Sequence, residues 1–240
     1  MRYLYPFYFI YQWFIAVPLA AVATILTALS TILLSPLFPN SKFAYFPAKM
    51  WGKFCCYIFL IKVECNGFEH LDPKQSYIFT ANHQSIFDIL AVYGWIPFIF
   101  KWVMKMELRN LPFIGAACAA ARHIFIDRSN PMAAKHSLEK AAEQLIHGNS
   151  VVIFPEGTRT RTGKLGKFKR GAFLLAMELK LPIVPITISG SFERLPKHTV
   201  LVKPGTIKII VHYPLDVSKY TMEQSSELLR TTQEIIRGAL

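Results

Sequence analysis

Residues 77–88 read Tyr77-Ile78-Phe79-Thr80-Ala81-Asn82-His83-Gln84-Ser85-Ile86-Phe87-Asp88. The first four are aromatic and β-branched, the composition of a short strand. Polar residues then turn the chain, and apolar ones resume as a helix would begin. Strand, turn and helix together form the repeating unit of an α/β domain. Working outward, similar β-branched and aromatic runs lie at 61–65, 99–104, 123–126, 151–154, 183–188 and 206–212. The clearest helix between them covers 131–147, with Asn130 as cap, Pro131 in the first turn and Gly148 at the end. A last helix is expected over 222–237. This alternation predicts an α/β fold with a mixed, mostly parallel sheet flanked by helices. In such sheets ligand-binding residues gather where strands end.

The N-terminal quarter is of another kind. No charged residue occurs between Arg2 and Lys42, and 7–38 is almost wholly apolar. A bilayer core takes about 20 such residues per helix. The run, punctuated by Pro18 and Pro36, fits a long tilted helix or a short helical hairpin. A cleaved leader is the alternative, but a single Arg precedes the run, which continues well past Ala20, Ala21 and Ala23. Lys42, Lys49 and Lys53 follow, before the first acidic residue at Glu64. Such flanking charge favours the cytoplasmic side. Phe43, Phe46, Met50, Phe54 and Ile58 recur at helical spacing beside these lysines, with Pro47 expected in the first turn. That pattern suits a helix on an anionic membrane surface, or else a core helix. Residues 1–60 are thus expected to be a membrane anchor plus interfacial helix, and 61–240 the α/β domain.

Composition agrees with a lipid setting. Hydrophobic residues make up 52% and charged ones 18%, with 27 Lys and Arg against 15 Asp and Glu, a net charge of +12. The excess favours anionic partners. Nucleic acid is not expected, since no basic-aromatic module of a known kind is present. Cys55, Cys56, Cys65 and Cys118 form no C-x-x-C pair and no zinc pattern, so they read as reduced thiols. Acylation of Cys55 or Cys56 is the alternative.

Four blocks carry chemistry. In the first, His83 and Asp88 stand five apart, an offset of about 140° on a regular helix. With His83 on the entering turn, Asp88 reaches back to the ring. A carboxylate on one ring nitrogen fixes the tautomer and leaves the other free to take a proton. The second is Phe154-Pro155-Glu156-Gly157-Thr158-Arg159-Thr160-Arg161. Gly157 and Thr158 let the backbone turn closely around a ligand, and Arg159 offers a planar fork for phosphate oxygens. Lys164, Lys167, Lys169 and Arg170 crowd the approach to a helix near Gly171, a physical anion site or else a solvated basic loop. The third comprises Lys105 and Arg128, each ending a strand and so able to face the crevice of His83. The fourth, Val184-Pro185-Ile186-Thr187, is an apolar wall with one hydroxyl.

In order and spacing these blocks resemble the lysophosphatidic acid acyltransferases (1-acylglycerol-3-phosphate O-acyltransferases) of the glycerolipid acyltransferase superfamily. The likeness covers roughly residues 60–190, and the paired N-H-x-x-x-x-D and F-P-E-G-T-R blocks are its most specific part. It implies His83 as base with Asp88 as its partner. It places Glu156, Gly157, Thr158 and Arg159 at the acceptor phosphate, with Lys105 and Arg128 as further substrate-binding candidates. It also implies lysophosphatidic acid and membrane lipids as partners, acyl-CoA or acyl carrier protein as co-substrate, no metal and no bound cofactor, and work on the cytoplasmic face (the inner membrane in a bacterium). Arg122-His123 departs from the apolar character expected there, and the last fifty residues carry no motif.

The chemistry expected is direct transfer, since no G-x-S-x-G elbow offers a nucleophile. An amide near Gly157 or a lysine would steady the oxyanion. The alternatives are another lysophospholipid or glycerol-3-phosphate as acceptor, a transacylase or hydrolase, and a non-enzymatic basic adaptor.

Overall fold

The computed structural model of the chain describes residues 5–127, 132–133, 136–137 and 149–240. Among them are strands β1 (Ile61–Asn66), β2 (Ile78–Ala81), β3 (Phe100–Lys105), β4 (Ile124–Ile126), β5 (Ser150–Ile153), β6 (Ile183–Ser189) and β7 (Gly205–Val211). They form one sheet in the order β1-β7-β6-β2-β5-β3-β4. The five from β6 to β4 run parallel; β7 is antiparallel to β6, and β1 is parallel to β7. The sheet is thus mixed and mostly parallel, each strand starting and ending within a residue or two of expectation.

Its central strands β2, β5 and β6 are buried on both faces, and neighbouring residues alternate between two cores. Phe79, Trp102, Val152 and Ile186 join one core with α3 (Lys42–Ile58) and α4 (Phe87–Trp95). Ile78, Val103, Val151 and Ile183 join the other, with α6 (Gly171–Leu179) and the C-terminal α8 (Ser225–Gly238). The helix expected over 131–147 falls largely outside the described residues.

The apolar N-terminal segment is one rod: α1 (Tyr5–Tyr11), a π turn (Gln12–Ala16) and α2 (Val17–Leu37). From Pro6 to Leu37 it is 32 residues with mean hydropathy 2.2, long and apolar enough to cross a membrane. Pro18 lies in the first turn of α2 and leaves that helix intact. Of the two forms open to this run, the structure takes the long helix, and α3 then folds back along the rod. Ser41 caps α3 by accepting from Ala44 N–H at 3.1 Å. Pro47 therefore lies inside the helix and not in its first turn. The i−4 carbonyl left without its amide is that of the exposed Phe43.

Phe43, Phe46, Met50 and Phe54 point outward, while Ala44, Gly52, Cys55 and Cys56 pack inward. A Cβ on Gly52 would meet Leu90 O at 2.5 Å, which is why α3 can lie so close on α4. Both cysteines are free and buried, which excludes their acylation in this fold. The α5 helix (Ile114–Ala120) completes the contact of α2 with the domain.

Candidate active site

β2 and β5 are parallel neighbours, so the segments after Ala81 and after Ile153 leave the same sheet edge side by side. The first is pinned by Asn82. Its side-chain amide donates to Ile188 O and accepts from Ile188 N, both at 2.7 Å, prolonging the β2–β6 ladder by side chain. His83 follows on the turn, and Asp88 stands in the first turn of α4. His83 Nδ1 lies 2.9 Å from Asp88 Oδ2. That oxygen also accepts from Gln84 N–H at 2.6 Å and Ser85 N–H at 2.8 Å. Asp88 is fully buried, and its Oδ1 has no partner among the described residues. With two backbone amides and the imidazole converging on it, Oδ2 orients the ring with Nδ1 toward Asp88 and Nε2 open to a ligand. The ring stacks on Phe154 with centroids 3.9 Å apart, and Phe154 stacks on Trp102 at 5.3 Å, so its plane is fixed as well.

Gly157 adopts φ +73°, which glycine takes without strain, and its amide closes the turn on Phe154 O at 2.9 Å. That amide is engaged in the turn, so an oxyanion donor of the kind expected from the sequence would be a neighbouring amide or a lysine. Glu156 is buried. One carboxylate oxygen accepts from His83 N–H and the other from Gly166 N–H, both at 2.7 Å. Burial pushes its pKa up, against the pull of those two bonds. With both oxygens held by backbone, Glu156 ties the His83 turn to the basic loop and does not face a phosphate. Thr160 N–H donates to His83 O at 2.9 Å, a second tie between the two segments.

A cavity of about 700 Å³ opens on His83, Gly157, Thr158, Arg159 and Lys105. From there it runs past Phe154 and Trp102 towards Tyr45 and Tyr93, with the small and hydroxyl residues Thr24, Ala28 and Thr31 of α2 along one side. Its mouth is therefore basic and its length largely apolar. Lys197 stands at the same mouth, its Nζ 3.1 Å from Thr158 Oγ1. Sequence reasoning missed it, because the stretch around it carries no motif.

Other expectations part company with the structure. Lys164, Lys167, Lys169 and Arg170 are exposed and do not line the cavity. The loop doubles back, with Lys169 N–H on Pro155 O at 2.9 Å, and Arg170 donates to Ser225 Oγ at 2.7 Å. Val184 and Ile186 belong to the core, and Thr187 Oγ1 meets His212 Nε2 at 2.8 Å, away from the cavity. Arg128 lies outside the described residues.

Arg122-His123, the polar departure, lines the cavity with Lys101. His123 Nδ1 accepts from Trp102 N–H at 3.2 Å, which leaves Nε2 to donate to Tyr93 Oη at 2.8 Å. Burial, with Lys101 nearby, pushes its pKa down to about 3. Burial, then the charge of Arg122, lowers Lys101 to about 8.

Fold and site together define an α/β domain with a His–Asp pair at a parallel sheet edge, facing a basic-mouthed apolar cavity. A family model described as Acyltransferase matches residues 62–189, and the chain belongs to that family. It is 33% identical over 180 residues to the chloroplastic 1-acyl-sn-glycerol-3-phosphate acyltransferase LPAT1 of Arabidopsis thaliana, covering 74% of this chain and 50% of the relative. It is 40% identical over 135 residues to the human 1-acyl-sn-glycerol-3-phosphate acyltransferase alpha, covering 56% of this chain and 48% of that protein. The chain thus spans about half the length of these relatives. The crystal structure of the 1-acyl-sn-glycerophosphate (LPA) acyltransferase PlsC of Thermotoga maritima shares the fold, with a TM-score of 0.74 at 23% identity over 92% of this chain and 95% of that one.

Proposed function

We propose that the chain is a membrane-anchored 1-acylglycerol-3-phosphate O-acyltransferase. It moves a fatty acyl group from an acyl thioester to the free sn-2 hydroxyl of lysophosphatidic acid, forming phosphatidic acid. The observation that carries this reading is the His83–Asp88 pair at 2.9 Å on a cavity whose mouth is cationic and whose length is apolar. A phosphate monoester beside a hydroxyl fits the mouth, and an acyl chain fits the rest. The relatives, named as 1-acyl-sn-glycerol-3-phosphate acyltransferases, point to the same substrate.

His83 Nε2 takes the hydroxyl proton as the oxygen attacks the thioester carbonyl. The tetrahedral intermediate collapses, the C–S bond breaks, and the imidazolium returns the proton to the departing thiolate. Asp88 holds the tautomer and offsets the transient charge. Arg159 and Lys105 hold the acceptor phosphate, while Gly157 and Thr158 shape the turn beneath it. No metal or bound cofactor enters the scheme. Acyl-CoA or acyl carrier protein is the donor, both being acidic partners for a basic mouth. The rod from Pro6 to Leu37 anchors the chain, and the outward aromatic stripe of α3 beside Lys42, Lys49 and Lys53 rests on the cytoplasmic lipid surface.

The test is an acyl-transfer assay on membranes without background activity, with each donor against lysophosphatidic acid, glycerol-3-phosphate and other lysophospholipids. Phosphatidic acid formed preferentially from lysophosphatidic acid is the expected product. Preference for another acceptor, or acyl release or exchange without a thioester, contradicts the proposal.

A further inference from the structure

The segment between α7 (Ser191–Arg194) and β7 is the part of the site that no sequence block announces. It is tied down at three places. Ser85 Oγ, on the turn beside His83, donates to Leu195 O at 2.8 Å. Arg194 closes the base, its Nη1 donating to Pro204 O at 2.7 Å and its carbonyl accepting from Lys203 N–H at 2.8 Å. The third tie comes from the far end of the sequence. Gln12, wholly buried in the π turn of the N-terminal rod, donates through Nε2 to Val200 O and accepts through Oε1 from Val202 N–H, both at 2.8 Å. π turns often mark functional positions in helices, and this one directs an amide side chain at the loop.

Between those ties the chain makes a tight turn, with Thr199 N–H on Pro196 O at 3.2 Å and His198 at φ +72°. Left-handed backbone at a non-glycine residue is strained and persists where the surroundings impose it. Lys197 is at the corner of this turn, reaching Thr158 and the cavity mouth. Arg161, Arg159 and Lys105 crowd it, and their repulsion adds to desolvation in lowering its pKa. Among the described residues none of the four cations has a carboxylate at ion-pair distance. An arrangement of like charges without counter-charge is completed by an anion. A phosphate monoester, carrying about −1.5 to −2 at neutral pH, is suited to several cations at once.

We propose that Lys197 binds the acceptor's phosphate together with Arg159 and Lys105, and that Gln12 positions the loop that carries it. The inference rests on the reading of the site as one that takes a lysophospholipid phosphate. It links the N-terminal rod to acceptor recognition, since the buried amide of Gln12 fixes the same loop from the rod's side.

Full-length Lys197→Met, Lys197→Arg and Gln12→Leu chains, purified in detergent, test it by steady-state kinetics and by equilibrium binding of 1-acylglycerol-3-phosphate against 1-acylglycerol. The expected result for Lys197→Met is a KM for the acceptor raised on the order of ten-fold or more. The KM for the acyl thioester should not move, and Lys197→Arg should recover most of the loss. Gln12→Leu should raise the same KM by less. An unchanged acceptor KM in Lys197→Met, or a rise confined to the thioester, overturns the proposal; the latter would put Lys197 on the donor's phosphates. If the wild-type chain turns nothing over, the binding arm still decides. Preference for the phosphorylated ligand, lost in Lys197→Met, sustains this inference while the proposed reaction falls, and no preference in the wild type overturns the inference itself.

Discussion

Two histidines line the same cavity, and they differ in what holds them. His83 gives Nδ1 to a buried carboxylate and keeps Nε2 for a ligand. His123 has both nitrogens occupied, one by Trp102 N–H and the other by Tyr93 Oη. The first keeps a ring nitrogen free for a ligand and the second does not, and burial with Lys101 nearby pushes the second's pKa down to about 3. The cations repeat the contrast. Lys105, Arg159 and Lys197 crowd an open mouth, whereas Lys101 donates to Ala121 O at 2.8 Å and is partly silenced by burial. Residue type therefore predicts little here; partners and solvent decide which group does chemistry and which supports the wall.

Changes on the His83 side should act on rate. Asp88→Asn removes the charge that sets the tautomer, and kcat for acyl transfer should fall about 10²–10⁴-fold, measured beside an unfolding curve to separate chemistry from folding. Changes on the His123 side should act on stability instead. His123→Leu strands Trp102 N–H and Tyr93 Oη, and the denaturation midpoint should drop by the equivalent of about 1–3 kcal/mol, with kcat changed far less than in Asp88→Asn. A rate loss matching that of Asp88→Asn would erase the distinction between the two residues.

The same contrast has a pH signature. His123 has its pKa depressed from 6.5 to about 3, with Tyr93, Trp102, Lys101 and Cys118 around it. Its stabilising contribution is complete above 6.5 and is lost as pH falls towards 3, because the unfolded chain takes up the proton first. Thermal melts of His123→Asn should accordingly fall less steeply than wild type across that window. The smallest expected effect is that of Glu156→Gln. It keeps the carbonyl acceptor for one amide and weakens the tie to the other, so a loss of about 1 kcal/mol is expected, with modest change in KM.

What was legible in the sequence follows from range. The central strands could be read because burial on both faces demands β-branched and aromatic runs, and His83 and Asp88 because their contact spans five residues. Gln12 reaches Val200 across 188 positions, and Lys197 reaches Thr158 across 39. No local pattern encodes contacts of that separation. The basic run 164–170 misled in the opposite sense, since its density suggested an anion site while hydrogen bonds of the loop turned it to solvent. Thr187 and Glu156 failed similarly: each lies next to the right residues in sequence, but its side chain bonds inside the fold. The outward stripe of α3 was correctly placed on one helix face, yet periodicity alone could not say whether that face met core or solvent.

The central claim is that His83 removes the acceptor's proton, and the most direct measurement is labelled acyl transfer to lysophosphatidic acid by His83→Ala against wild type at equal expression. Phosphatidic acid formed by the wild type and lost in the variant, with an unchanged unfolding curve, is the predicted result. Undiminished product from the variant would contradict it.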